Sequence, residues 1–407
     1  MTLFSDFKLN NSILKSLTDL KYGEPTPIQA QAIPFILQGK DFLGIAQTGT
    51  GKTAAFSLPI LHLLNEEASS KQTILPRALI LTPTRELAAQ ILTNLKRYGE
   101  HLPLRFTAIF GGVNEKPQIR DLKKGVDILV ATPGRLMDLY HRKIFSLKGV
   151  HFCVLDEADR MLDMGFLPDV RKIMKVLSED CQTLLFSATL PKEIENLVTE
   201  FLHDPAQVNI TPPTKTADTV EQYLFFIPKA QKQEMLQHIL VDKSCERVIV
   251  FSKTKFGAER IGRNLKKENI DNCTLHGDKS QKERQKALQH FRKGDVKVLV
   301  ATDVASRGID VSNISHVINF DLPDEPENYI HRIGRTGRAG KGGIAFSFCD
   351  ALEKRLLRNI ERKIQLQIPV ISARKFWTDF EPQKETPAVK PKKPRKKRPQ
   401  FRKKRSV

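Results

Sequence analysis

Asp41-Phe42-Leu43-Gly44-Ile45-Ala46-Gln47-Thr48-Gly49-Thr50-Gly51-Lys52-Thr53 is the stretch from which the fold can be read. Residues 42–46 form a short apolar run of strand character, and the glycine-bearing turn that follows cannot prolong a strand. From Lys52 onward, Ala54, Ala55, Phe56, Leu58 and Ile60 make an apolar, helix-compatible segment. Strand, glycine loop and helix in that order gather backbone N–H groups and the positive end of a helix dipole around one point, the geometry that holds an anion. At this spacing Gln47, Thr48, Gly49, Thr50 and Gly51 cradle phosphates. Lys52 is expected to reach the β- and γ-phosphates of a nucleoside triphosphate, and the Thr53 hydroxyl to bind Mg²⁺. Ala46 stands where the strict Walker pattern has its first glycine. A chance glycine-rich turn is the competing reading, and the strand context together with the Lys-Thr pair speaks against it.

The same alternation recurs along the chain. Short apolar runs appear at 41–46, 78–81, 127–130, 152–155 and 183–186, then at 247–251, 296–300, 316–320 and 343–348. Runs this short and apolar on both faces suit parallel strands buried between helix layers. Helical stretches between them call for βαβ units with right-handed crossovers. The two halves also echo each other: Ile128-Leu129-Val130-Ala131-Thr132-Pro133 against Val298-Leu299-Val300-Ala301-Thr302-Asp303. The expected fold is α/β, with two tandem doubly wound parallel-sheet domains. The division places one domain at 1–208, a flexible linker at 209–218, a second domain at 219–372 and a tail at 373–407. The linker rests on Thr211-Pro212-Pro213-Thr214, which suits neither a strand nor a helix interior.

Of the chain's net charge of +20, half lies between Glu381 and Val407, where 12 Lys and Arg face two Asp and Glu. That tail cannot bury enough apolar surface to fold alone and is expected to be disordered. Its charge implies a polyanion, nucleic acid being the commonest. Lys392-Lys393-Pro394-Arg395-Lys396-Lys397-Arg398 reads equally as an RNA tether or as a nuclear-localisation run. No apolar stretch reaches the ~18–20 residues of a membrane span, and residues 1–10 lack the basic start of a signal peptide. Cys153, Cys181, Cys245, Cys273 and Cys349 form no CxxC pair, so a reducing compartment without structural zinc, the cytoplasm, is expected.

A second cluster, Asp156-Glu157-Ala158-Asp159, follows the run at 152–155 directly. An acid at a strand end facing a phosphate loop suits a Mg²⁺ ligand, the role expected of Asp156. Its neighbour Glu157 can polarise an attacking water as general base. An acidic helix N-terminus, favoured by the macrodipole, is the bland alternative, and the phosphate loop outweighs it.

Asp156–Asp159 spells DEAD, and an ordered motif series from Phe4 to about Gly340 resembles the DEAD-box RNA helicases of superfamily 2. Ala46–Thr53 is similar to that family's phosphate loop, alanine included. The resemblance implies two RecA-like domains and an ATP site in which Gln29 of Pro25-Thr26-Pro27-Ile28-Gln29 reads adenine and Phe4 stacks on it. It implies RNA contacts at Pro83-Thr84-Arg85, Gly111-Gly112, Thr132-Pro133-Gly134-Arg135, Arg284 of a QxxR pair with Gln281, Thr302 and Arg307-Gly308. Asp303 is expected near the ATP ribose. Coupling between hydrolysis and strand separation falls to Asp159, to Ser187 and Thr189 of Ser187-Ala188-Thr189, and to Asp310 and His331. Arg335 and Arg338 of His331-Arg332-Ile333-Gly334-Arg335-Thr336-Gly337-Arg338 would act as fingers on the γ-phosphate when the domains close. A compact chain with a basic tail resembles bacterial RhlE-like members, which implies ribosome assembly or RNA turnover, with ribosomal precursors or RNA-degradation proteins as partners. The expected activity is local separation of short RNA duplexes driven by ATP and Mg²⁺, with sequence-independent contacts to the RNA backbone. The alternative is an ATP-gated RNA clamp with little unwinding.

Overall fold

The computed structural model describes residues 2–47, 49–66, 74–210, 220–303, 311, 314–337 and 342–372. Thr48, Arg307, Gly308, Asp310 and Arg338, residues 211–218 of the linker and the tail from 373 lie outside the described residues.

Seven strands make the first sheet: β1 (Phe42–Ala46), β2 (Ala78–Leu81), β3 (Phe106–Ile109), β4 (Ile128–Ala131), β5 (Phe152–Leu155), β6 (Gln182–Ser187) and β7 (Ala206–Ile210). Six make the second: β8 (Val220–Phe226), β9 (Val248–Phe251), β10 (Asn272–Leu275), β11 (Val298–Ala301), β12 (His316–Asn319) and β13 (Gly343–Cys349). The first sheet runs β3-β4-β2-β5-β6-β1-β7 and the second β10-β11-β9-β12-β13-β8. Every pairing is parallel. Counted from its own first strand, the second sheet repeats the order of the first without a counterpart of β7. The echoed hexapeptides fall on β4 and β11, which hold the same place in the two sheets, so the repeat in sequence is a repeat in structure.

All nine expected strands are present. The four that the apolar pattern missed are β3, β7, β8 and β10, and these are the edges of the two sheets. An edge strand packs on fewer sides, so its sequence need not be apolar throughout. β7 and β8 mix buried with exposed positions, whereas β2, β4 and β5 are buried at every position. β7 takes in Asn209 and Ile210, which composition had assigned to the linker, because both pair with β1.

Each sheet carries an apolar layer on both faces. Gly44 in β1 leaves room for one of these layers: a Cβ there would meet the Phe186 ring at 2.8 Å. Phe186 in turn packs between Phe42 and Phe56, with centroids at 5.5 and 5.4 Å. Truncating such a ring costs about 3–5 kcal/mol. At the foot of the first sheet Asp41 accepts hydrogen bonds from the Thr183 and His203 amides, both at 2.7 Å, tying β1 to β6 and to the approach of β7. Equivalent threonines start the helix after the second strand of each sheet. Thr84 accepts from the Leu87 amide at 3.2 Å and Thr254 from the Gly257 amide at 3.0 Å, caps worth about 1 kcal/mol each. All five cysteines are free, and four are buried. Among the described residues no helix is long and apolar enough to cross a membrane.

Candidate active site and nucleic-acid cleft

Ligands of parallel sheets gather at the carboxyl ends of the strands, and the polar clusters of this chain all emerge there. After β1 the phosphate loop turns on Gly49 and Gly51, with φ of 89° and 97°. Thr50 Oγ1 donates to the Gln47 carbonyl at 2.8 Å, closing the loop on itself. Gln29 braces it from outside: Nε2 donates to the Gly51 carbonyl at 3.1 Å, while Oε1 accepts from the Thr26 amide at 2.9 Å. Lys52 and Thr53 open the helix Lys52–Glu66. Lys52 is buried, and its Nζ donates to the Ala46 carbonyl at 2.6 Å. An ammonium group folded back onto the loop's own backbone is placed where an anion inside the loop would attract it. Phe4 is buried in the apolar layer that also holds Ala46, edge-on to Phe7.

Asp156 and Glu157 follow β5. Glu157 lies in the left-handed region, with φ 55° and ψ 52°, a conformation that costs on the order of 1–3 kcal/mol for a side chain of this kind and gathers at functional sites. Burial is the largest influence on the Glu157 carboxyl and pushes its pKa up. The charges of Arg160, Lys52 and Arg335 together outweigh it and hold the carboxyl below its usual range. Arg160 Nη1 donates to Glu157 Oε2 at 2.6 Å. Asp156 goes the other way: burial, then the Glu157 charge, raises it to about 7. Its Oδ1 is buried with no hydrogen-bond partner among the described residues. A buried carboxylate oxygen beside a phosphate loop, costly to ionise without a cation, fits Mg²⁺, which takes oxygen ligands and shares them with phosphates. Thr53 is the hydroxyl of the same set.

Asp159 joins this cluster to β6. Its Oδ2 accepts from the Ala188 amide, the Thr189 amide and Thr189 Oγ1 at 3.2, 3.0 and 3.0 Å. Ser187 Oγ accepts from the Asp159 amide at 3.2 Å and donates to the Thr189 carbonyl at 2.6 Å. Three expected coupling residues thus form one hydrogen-bonded unit, reached through Asp159 two residues after Glu157.

From the second lobe, Arg335 is buried, its Nε donates to the His331 carbonyl at 3.3 Å, and its charge acts on Glu157. Asp303 and Thr302 sit at the end of β11. Arg332, quoted in the motif without a role, grips Asp303 with two bonds at 2.5 and 2.7 Å, donates to Asn319 Oδ1 at 3.1 Å and to the Asp321 carbonyl at 2.7 Å, and lies 4.9 Å from the Phe251 ring centroid. Only a folded lobe brings Asp303 and Arg332 into that bidentate pair.

A cleft of 510 Å³ is lined from both lobes. It brings together Pro83, Thr84, Arg85, Gly111, Thr132, Gly134, Arg135 and Arg284, eight of the expected RNA-binding residues. Gly112 lies against the Arg85 guanidinium at φ 72°, where any Cβ would collide with it. Pro133 begins the helix Pro133–His141 with its side chain buried, so it positions the turn. Burial lowers the Arg85 pKa, with Arg284 and Arg135 adding to the effect and Glu86 opposing it. Such crowding of cations marks a place prepared for an anion. Glu86, which the motif Pro83-Thr84-Arg85-Glu86-Leu87 includes without a role of its own, belongs to the site. Buried in the first lobe, it accepts from Gln281 Nε2 at 3.1 Å and pairs with Arg284 Nε at 2.9 Å, both from the second. Met164, Phe166 and Gly277 also line the cleft without a sequence signal to mark them.

A nucleotide site built by one lobe and faced by Arg335 of a second lobe of the same topology defines a two-lobed phosphate-loop NTPase. The family model described as DEAD/DEAH box helicase matches residues 26–197, and that of the helicase conserved C-terminal domain matches residues 231–340. The chain belongs to the DEAD-box ATP-dependent RNA helicases. It is 44% identical to the RNA helicase CrhR of Synechocystis sp. over 90% of this chain and 74% of that one. Dbp5 of S. cerevisiae, bound to RNA and ADP BeF3, superposes with a TM-score of 0.80 at 31% identity, covering 91% of this chain and 95% of that one. A DEAD box protein from Methanococcus jannaschii, at 38% identity and covering 91% and 99%, reaches only 0.55. The Dbp5 structure bound to RNA and ADP BeF3 thus superposes better despite its lower identity.

Proposed function

We propose that this chain binds single-stranded RNA along the arginine-lined cleft and separates short duplexes locally, using ATP with Mg²⁺ between the lobes. The cleft carries the reading: its cations and glycines come from both lobes, so a strand lying in it binds fully only when the lobes are closed. Hydroxyls, glycines and guanidinium groups suit phosphates and sugars and give position without sequence readout.

Bound ATP supplies a γ-phosphoryl group whose transfer to water spreads charge over its oxygens. Lys52 exchanges the Ala46 carbonyl for phosphate oxygens, and Gln29 contacts the base while bracing the loop. Asp156 and Thr53 would hold Mg²⁺, which would offset charge on the phosphate oxygens. Glu157, kept ionised by Arg160, Lys52 and Arg335, accepts the proton of the attacking water at its carboxylate. Arg335 and Arg338 bring positive charge to the transferring group only in the closed arrangement. Asp159, Ser187 and Thr189, tied into one unit that joins the segment after β5 to the end of β6, couple hydrolysis to strand separation. ATP and RNA therefore favour the same closed form and bind cooperatively. We also propose a first domain that ends with β7 at Ile210, a linker at 211–218, a second domain at 219–372 and a tail at 373–407, cytoplasmic residence, which the five free thiols support, and a role in ribosome assembly or RNA turnover.

The test is the steady-state ATPase rate without nucleic acid, with single-stranded RNA and with matched DNA, followed by a short-duplex unwinding assay. Stimulation by RNA alone, with strand release, is the expected result. Equal stimulation by DNA would overturn the RNA assignment, and tight RNA binding without strand release would turn the reading to a clamp.

A further inference from the structure

A cavity of 540 Å³ lies on the second lobe, at the amino-terminal halves of β8, β12 and β13, away from the strand ends that build the cleft. The volume is that of a ligand pocket, ~300–1,000 Å³. Three rings line it in a row: His316 stacks on Phe346 at 5.9 Å and 17°, and Tyr223 stacks on Phe346 at 5.8 Å and 28°. Another wall is the end of the helix Lys232–Val241, where Val241 is 77% exposed. Glu221 and Asp242 also line the cavity, giving it acidic groups.

The remaining wall includes Ile371. Residues 369–371 run beside β8, with the Leu224 amide donating to the Pro369 carbonyl and the Ile371 amide to the Leu224 carbonyl, both at 2.9 Å. The described chain therefore ends one residue beyond the cavity, at Ser372. The sequence continues Ala373-Arg374-Lys375-Phe376-Trp377-Thr378-Asp379-Phe380 and then turns to the Pro, Lys and Arg of the tail. Three aromatics in five residues, one of them the chain's single tryptophan, have no use in a purely solvated basic segment. Arg374 and Lys375 stand just before them and complement Glu221 and Asp242. The four residues between Ile371 and Phe376 span at most ~3.3–3.6 Å each, enough to reach across a cavity that Ile371 itself lines.

We propose that the segment 376–380 of this same chain docks in this cavity, with Trp377 packed against the aromatic row and Arg374 and Lys375 on the acidic groups. Large rings gain most from such burial, and they prefer offset or edge-on contact with other rings. The docked segment roots the basic tail on the second lobe, opposite the strand ends that carry the cleft. Residues 381–407 then sample RNA from a fixed anchor point, which sets their effective concentration at the substrate. The docking does not depend on the helicase reading; its consequence for RNA rests on it.

Trp377 is its own probe. In the full chain we expect a blue-shifted emission and acrylamide quenching several-fold weaker than in a free peptide of residues 372–381. Val241→Glu, on the exposed rim, and His238→Glu should each raise quenching towards the peptide value while thermal unfolding of the lobes is kept. Peptide-like quenching in the unaltered chain would overturn the proposal. So would protection that is lost on dilution, which makes a second copy the donor of the segment, or protection that survives both substitutions, which buries Trp377 elsewhere.

Discussion

Glu157 combines a strained backbone, full burial and three facing cations, and each has a bearing on proton transfer. Left-handed φ turns its side chain away from the path of β5, burial removes competing water, and Arg160, Lys52 and Arg335 keep the carboxylate ionised. Glu157→Gln keeps the shape and removes the base, so kcat for ATP should fall by about 10²–10⁴-fold, with ATP and RNA affinities little changed. Single-turnover hydrolysis beside equilibrium binding separates the two, and unimpaired hydrolysis would remove Glu157 from the role. Arg160 had no motif to announce it. A basic residue three positions after an acid is common on any helix, and only its burial against Glu157 makes it part of the site.

Among the elements, the phosphate loop and the β12–β13 wall behave differently. Gly51 needs φ 97°, and a Cβ there would sit 2.4 Å from Gln29 Nε2. Gly51→Ala should therefore cost on the order of 1–3 kcal/mol of loop conformation, roughly tenfold to a hundredfold in ATP affinity. The melting temperature should hardly move, since the loop lies at the rim of the core. Nucleotide titration against thermal denaturation tests this, and a large fall in Tm with intact affinity would contradict it. His316, at the start of β12, is depressed by burial from its usual 6.5, with Asp242 opposing and Lys297 adding to the shift. As pH falls below that value the unfolded chain takes up a proton and the folded chain does not, so second-lobe stability should decline on acidification. Thermal unfolding at several values across pH ~5.5–7.5 should show a shallower acid decline in His316→Gln than in the unaltered chain. Equal slopes would assign the decline to other groups.

At the scale of the whole molecule the two lobes are joined through Glu86, Gln281 and Arg284. Glu86 also offsets the crowding of Arg85, Arg135 and Arg284 around the cleft. Glu86→Gln leaves those cations facing one another across the closing surface. Breaking one buried charged contact of this kind costs on the order of 2 kcal/mol, roughly 30-fold in the closing equilibrium. A fluorescence distance between the lobes, read with RNA and a nonhydrolysable ATP analogue, should show that loss of closure. Unchanged closure would mean that nucleotide and RNA alone hold the lobes together.

The sequence by itself determined the fold class, the nine interior strands and the phosphate loop, and its resemblance to the DEAD-box family pointed to eight of the residues that line the cleft. These depend on local chemistry: an apolar run buried on both faces, a glycine that must take positive φ, an acid at a strand end. Tertiary structure alone decided the four edge strands, whose exposed positions blur the apolar signal, and the order of strands within each sheet. It alone decided the partners of charge as well. Glu86 meets Arg284, and Asp303 meets Arg332, across separations that no local pattern spans. The opposite fates of Asp156 and Glu157, neighbours of the same chemistry, follow from which of them the folded chain places against arginine.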